Sequence, residues 1–248
     1  MLTQTAAFAP WLRLCSLCLR AYLVLDGYAL GIGILALIPR ARADMGALLE
    51  RLPAAQGRYA LVVATLYGGE LLTFGDHGPA LYSALAATLL ALVVRGVALE
   101  AQAGGADAPG RWGLAFAWGS LVAAMGQGAI FGLMADGFLR PGDPTGPPTW
   151  LVAITALYFV GAYCLAGATW ALRMGSGAST ASVRRVVRAL TLAVAVFTPL
   201  SVAMAAVSGG TVSVAAAISR HPYETGGTLL ALVALGAVWL RAARGRPV

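Results

Sequence analysis

The chain has 248 residues, of which 59% are hydrophobic and 11% charged, with a formal net charge of +7 and a mean hydropathy of +0.79. Soluble domains carry about a quarter charged residues, so this chain lacks the charge to wet a folded surface of its size, and a soluble globular protein is excluded. All 17 basic residues are arginine, most of them dispersed in short loops at the ends of apolar runs, a distribution that argues for topology signals and against nucleic-acid binding.

A spanning helix needs ~20 apolar residues, and runs of about that length fall at approximately 11–38, 58–75, 79–99, 112–136, 149–173, 186–207 and 225–242. The expected fold is therefore an all-α, polytopic transmembrane helix bundle of about seven spans, forming a single membrane domain over 1–248. The first run is long enough to tilt or to protrude at one end, whereas the second and last are short. Between the sixth and seventh, Gly209, Gly210 and Val212 to Ile218 read as a re-entrant or interfacial piece, since irregular backbone at membrane depth must be satisfied by protein or water. The loops 39–57 and 208–224 are too short to form domains.

Loop charge orients the bundle. Arg40, Arg42, Arg51, Arg58, Arg111, Arg173, Arg184, Arg185, Arg188 and the arginines from Arg241 onward share one side, while Arg140 and Arg220, with Arg13 near the start of the first helix, fall on the other. The richer side is expected in the cytoplasm, which puts the N-terminus outside and the C-terminus cytoplasmic, as an odd number of spans requires. Met1 to Pro10 lacks a basic n-region, so no cleaved signal peptide is expected. Gly27, Gly31 and Gly33, and Ser120 with Ala124, are small residues of the kind that let membrane helices approach closely. Pro199 is expected to kink the sixth helix.

Ionisable groups inside spans are costly and mark functional candidates. Asp26, deep in the first helix beside Gly27, reads either as a proton-path carboxylate or charge partner for a cofactor in a neighbouring chain, or as a structural aspartate bonded across a helix interface. An isolated carboxylate in such surroundings holds its proton more tightly than in water. Glu70 near the outer end of the second helix would reach the headgroup region or pair with Arg13. Arg95 and Glu100, five residues apart at the inner end of the third helix, are poorly spaced to pair with each other and are expected to pair with other elements. Asp136 is expected to end the fourth helix at the outer face, and Gln127 in mid-span to bond between helices.

Redox ligands are sparse. Haem iron takes His, Met, Cys or Tyr axial ligands, and both histidines, His77 and His221, fall in predicted outer loops. They are the chain's only candidate imidazole ligands, and no haem, metal or catalytic residue is expected within it. Cys15, Cys18 and Cys164 form no even-numbered disulfide framework; the Cys-x-x-Cys lies inside an apolar helix, where Cys packs as a small hydrophobe. Nucleophile elbows, P-loops, zinc signatures and dinucleotide fingerprints are missing.

Several stretches, in order, resemble the second subunit of cytochrome bd-type quinol oxidases. Leu25-Asp26-Gly27-Tyr28-Ala29-Leu30-Gly31-Ile32-Gly33 resembles that family's helix-one Asp-Gly-Phe-x-hydrophobic-Gly-x-Gly signature, and Pro79-Ala80-Leu81-Tyr82 its Pro-x-x-Tyr opening helix three. Arg95-Gly96-Val97-Ala98-Leu99-Glu100 is similar to Arg-Gly-Val-Ala-Phe-Glu. Gly119-Ser120 with Gly126-Gln127-Gly128, and Tyr163 followed by Gly167-Ala168-Thr169-Trp170, resemble the next two spans.

The resemblance implies a subunit II that stabilises a haem-bearing subunit I, where haems b and d (or b only) would oxidise quinol and reduce dioxygen to water in a bacterial cytoplasmic membrane. It also implies contact with lipid, room for a structural quinone, and possible neighbours in small single-helix subunits. A proton route or inter-subunit polar contact would involve Asp26, with Glu70, Arg95, Glu100 and Gln127 as further candidates. Three departures reduce that route: Arg58 to Leu66 replaces the family's acid- and amide-bearing run at the start of helix two, Ala29 replaces a second acid, and the later helices are shortened. A reduced, chiefly structural subunit II is the expectation. The alternatives are an independent proton-coupled transporter using Asp26 and Glu70, which would call for inverted repeats that the sequence does not display, and a membrane anchor of another quinone-linked redox complex.

Overall fold

The computed structural model describes residues 26–38, 79–103, 110–139, 150–173, 188–192 and 194. Among these the chain is all-helical, with no strand. Helix α1 covers Asp26–Leu35, α2 Pro79–Ala103, α3 Arg111–Leu139 and α4 Trp150–Arg173. Residues 188–192 and 194 are also helical, within the expected sixth span. The expected spans 58–75 and 225–242 and the segment 208–224 lie outside the described residues, as do Glu70, His77, His221, Arg13, Cys15, Cys18 and Pro199.

Helices α2, α3 and α4 each contain a stretch long and apolar enough to cross a membrane. All three outer surfaces are apolar: Leu90 is 66% exposed on α2 and Leu157 63% on α4, with Val97, Leu114, Val122 and Met125 also exposed. In water such a surface would drive aggregation; in lipid it is the wetted surface. Buried and half-buried hydroxyls along these helices bond back to their own backbone, Thr88 Oγ1 to the Ala84 carbonyl (2.7 Å), Ser120 Oγ to Phe116 (2.7 Å) and Thr155 Oγ1 to Leu151 (2.9 Å), which satisfies them where no water is at hand.

Two helices run past the ends expected from hydropathy. The third expected span continues from residue 99 to Ala103, and the fourth continues beyond Asp136 to Leu139, so Asp136 lies within the helix instead of ending it. Apolar runs mark the hydrocarbon thickness, whereas helical hydrogen bonding persists into the headgroup layer as long as the backbone has no better partner. At the start of α3, the Leu114 amide reaches the Gly110 carbonyl, so Gly110 stands as the flanking cap residue. Helix α1 closes with tight turns, Leu37 N to Ile34 O and Ile38 N to Leu35 O. Such i→i+3 bonds satisfy the last carbonyls, and the next residue in sequence, Pro39, disfavours helical conformation in Ile38.

Helix α2 packs along α3, and α3 along α4. Each buries one face: Leu81, Leu85, Thr88, Leu92, Arg95 and Leu99 on α2, and Phe116, Ser120, Ala123, Gln127 and Ile130 on α3. Helix α1 is different, because nearly every residue from Asp26 to Ala36 is buried. It is the inner helix, and glycines bring it there. A Cβ on Gly31 would run into the Tyr163 carbonyl and come within 2.7 Å of the Gly167 amide nitrogen; one on Gly167 would lie 2.5 Å from the Ile32 nitrogen. On its other side Gly33 faces Phe116 and Ser120 of α3. Backbone therefore meets backbone where α1 crosses α4. Close approach of this kind lets dispersion replace the missing hydrophobic drive in lipid.

Candidate functional site

The buried charge of the described bundle is concentrated in one pair. Arg95 on α2 donates from Nη1 to Asp26 Oδ2 at 2.5 Å and from Nη2 to Asp26 Oδ1 at 2.7 Å, a fork-to-fork geometry that is the strongest form of such a bond. Each side chain is 3% exposed. Arg95 lies seven residues before the Gln102 end of its apolar stretch, about 10 Å deep at the helical rise. Its Cβ leans toward the α2 N-terminus, which carries the guanidinium further toward the middle of the span. The guanidinium carbon also stands 5.1 Å from the Phe116 ring centroid, a cation–π distance. Gly119 lets α3 come close to α2 at this level: a Cβ there would stand 3.1 Å from the Ala91 carbonyl oxygen and 3.3 Å from Arg95 Cβ and N. So α1 supplies the acid, α2 the base and α3 the aromatic face. Removing one member of such a pair costs about 3–5 kcal/mol, because the other charge is left buried.

A second polar contact links the remaining helices. Tyr163 on α4 donates its hydroxyl to Gln127 Oε1 on α3. Gln127 is 0% exposed, and its Nε2 has no hydrogen-bond partner among the described residues. The Tyr163 ring lies against Gly27, where a Cβ would stand 3.0 Å from Cδ1, and it meets Phe159 edge-on at 5.9 Å. Asp26 and Gly27, adjacent in α1, therefore touch the two polar contacts in turn. Tyr28 next to them stacks on Trp170 at 5.3 Å.

Of the five residues singled out in the sequence, Asp26 and Arg95 come together, Gln127 joins Tyr163, and Glu100 is exposed on α2, apart from the buried pair; Glu70 lies outside the described residues. Asp26 is thus not an isolated carboxylate. Tyr163 and Phe116 were not singled out for chemistry. The signal for Tyr163 was a lone hydroxyl-bearing ring among Gly161, Ala162, Ala166 and Gly167 in mid-span, whereas nothing in the sequence marks Phe116 as the face for Arg95.

Gly31 against Gly167 and Gly128 against Ala156 put backbone against backbone. The Tyr163 hydroxyl is engaged by Gln127. Among the described residues no group of three or more His, Cys, Asp or Glu is placed to hold a metal ion.

A multi-pass membrane protein whose described residues form an all-helical bundle with one buried ion pair is the class this architecture defines. Residues 72–247 match the family of cytochrome bd terminal oxidase subunit II. The chain belongs to that family, a component of a multi-subunit, membrane-bound respiratory oxidase. No curated protein and no solved structure matches it. Arg95, Glu100, Gln127 and Tyr163 fall inside the matched segment, and Asp26 falls before it.

Proposed function

We propose that this chain is the haem-free second subunit of a cytochrome bd-type terminal quinol oxidase, and that it stabilises a haem-bearing subunit I in which quinol is oxidised and dioxygen reduced to water. The observation that carries the reading is the family match over residues 72–247. The close α1–α4 crossing supports it, because helices that pack glycine against glycine there contribute shape and charge to a neighbour more readily than they enclose a pigment. In this reading all 248 residues form one membrane domain of about seven spans, N-terminus outside and C-terminus cytoplasmic, in a bacterial cytoplasmic membrane. Haems b and d, or b alone, reside in subunit I. The apolar faces of α2, α3 and α4 are divided between lipid and that partner, with small single-helix subunits or a structural quinone as further neighbours. A packed apolar companion excludes water around the haems and lowers the dielectric there, which strengthens the fixed charges that tune potential and proton affinity.

The experiment is affinity capture of the tagged chain from its native membranes in mild detergent, with an optical spectrum of the eluate. The expected result is coelution with a larger haem-bearing chain, and no haem absorbance from this chain expressed alone. A chain that elutes without any such partner overturns the reading. So does haem bound by the isolated chain and lost in His77→Ala or His221→Ala.

A further inference from the structure

We propose that the buried amide of Gln127 holds one ordered water molecule inside the bundle, as a fixed part of the contact between α3 and α4. Such a site is independent of which chain lies next to this one.

Gln127 lies in the apolar stretch of α3, six residues before its Leu133 end, about 9 Å deep at the helical rise. A primary amide brings two N–H donors and one carbonyl acceptor. The Tyr163 hydroxyl donates to Oε1, while Nε2 is enclosed and has no partner among the described residues. Leaving the donors of a buried amide unmet costs more than one neutral hydrogen bond returns. A glutamine that made only the Tyr163 bond would therefore weaken the fold relative to an apolar residue of its length. Turning the amide over changes nothing in this count, because Nε2 would then meet Tyr163 and Oε1 would lack its donor. Water both donates and accepts, so it satisfies the amide in either orientation.

The packing limits the ligand to something small. Gln127 is 0% exposed, and the glycines on either side of it let two neighbouring helices close in. A Cβ on Gly126 would run into Thr88 Oγ1 of α2, and one on Gly128 would stand 2.6 Å from Ala156 Cα of α4. A lipid headgroup or a side chain of another subunit could not reach the amide without parting these helices. The same level of the bundle carries two hydroxyl oxygens, that of Tyr163 on Gln127 itself and that of Thr88 against Gly126. Each donates its proton elsewhere, Tyr163 to Gln127 and Thr88 to the Ala84 carbonyl, and a hydroxyl that donates can still accept. A buried water makes about three hydrogen bonds. Nε2 as donor and the two hydroxyl oxygens as acceptors would supply that number.

The test is nuclear magnetic resonance on the full chain in deuterated detergent, isotopically labelled at its glutamine side-chain amides. The chain has Gln4, Gln56, Gln102 and Gln127, and the Gln127 pair of signals is the one lost in Gln127→Met. The expected result is cross-relaxation between that pair and the water frequency, with the sign of a long-lived bound molecule, and its retention in Tyr163→Phe, where no phenol proton is present to relay it. Cross-relaxation with protein side-chain protons alone overturns the proposal, and so does loss of the water signal in Tyr163→Phe. A density map of the unmodified complex in a lipid nanodisc, at a resolution that shows ordered water, decides the matter without any variant. A peak about 2.7–3.2 Å from the Gln127 amide, in the space between α3 and α4, supports the site. A protein donor or acceptor in that place, or no density there, refutes it.

Discussion

Replacing Gly31 with alanine tests whether the α1–α4 crossing holds the bundle together. The added Cβ would run into the Tyr163 carbonyl oxygen and stand 2.7 Å from both the Gly167 nitrogen and the Tyr163 carbonyl carbon. Carbon contacts are comfortable at about 3.5–4.0 Å, so the two helices must separate by about 1 Å or more. Every atom met is backbone, so no side chain can rotate aside. Overpacking of this kind costs ~1–3 kcal/mol, and the upper half of that range is expected here because the displacement also strains the Asp26–Arg95 ion pair about one and a half turns away on the same helix. Gly161→Ala is the internal control. A Cβ at Gly161 meets nothing within 4 Å, so the substitution should be neutral or stabilising by up to about 1 kcal/mol, since helix propensity favours alanine. The assay is the reversible unfolding midpoint of the purified chain in detergent, at matched protein and detergent concentrations. Gly31→Ala as stable as the parent, or Gly161→Ala equally destabilised, would refute the account of the crossing.

Three further outcomes are expected. Tyr163→Phe strips Gln127 Oε1 of its donor while Nε2 already has no partner among the described residues. It should destabilise by ~1–3 kcal/mol, and a double-mutant cycle with Gln127→Leu should show the two losses to be non-additive; strict additivity counts against the bond. Ser120→Ala should change stability by less than about 0.5 kcal/mol, since among the described residues Ser120 Oγ bonds the Phe116 carbonyl of its own helix, whereas Gly33→Ala, whose Cβ would press on Ser120 and lie 2.9 Å from Phe116 Cε1, should be clearly destabilising. In a Cys15→Ser/Cys18→Ser background, buried Cys164 should react with N-ethylmaleimide slowly in the folded chain and rapidly after denaturation; fast labelling of the folded protein would contradict its packing.

The spans of α2, α3 and α4 were legible because each is a long apolar run with charged or Gly/Pro-rich flanks. Their ends were not. Hydropathy falls off at Glu100 and Asp136, while the helices run on to Ala103 and Leu139, because backbone hydrogen bonding does not stop where side-chain polarity begins. The polar residues were legible as well, since an acid or amide in mid-span stands out against alanine and leucine. Their partners were less so. Asp26 and Arg95 are 69 residues apart and Gln127 and Tyr163 are 36 apart. Helical periodicity tells which residues share a face but not which helix that face meets. The meeting of Gly31 with Gly167 was hidden for the same reason, since many glycines fit the pattern of close approach and only the packing selects among them.

Those pairings bear on the extent of the folding unit. The family match begins at residue 72, yet Arg95 inside it bonds Asp26 outside it, and Gly167 and Ser120 inside it are covered by Gly31 and Gly33 outside it. A fragment of residues 72–248 would therefore keep the matched segment and lose the inner helix. It would leave a guanidinium buried in apolar surroundings with no carboxylate, at a cost of about 3–5 kcal/mol, and open a groove where α1 lay. Set against a total stability of only ~5–15 kcal/mol, that is enough to prevent a stable fold. Expressed alone, the fragment is expected to be degraded or to aggregate; coexpressed with residues 1–71 as a separate polypeptide, it should be recovered as a complex. Arg95→Met in the fragment removes the stranded charge and should restore part of the yield without the N-terminal piece. A 72–248 fragment that purifies as a monodisperse, cooperatively melting protein would show that α1 is an accessory to this bundle and not its core.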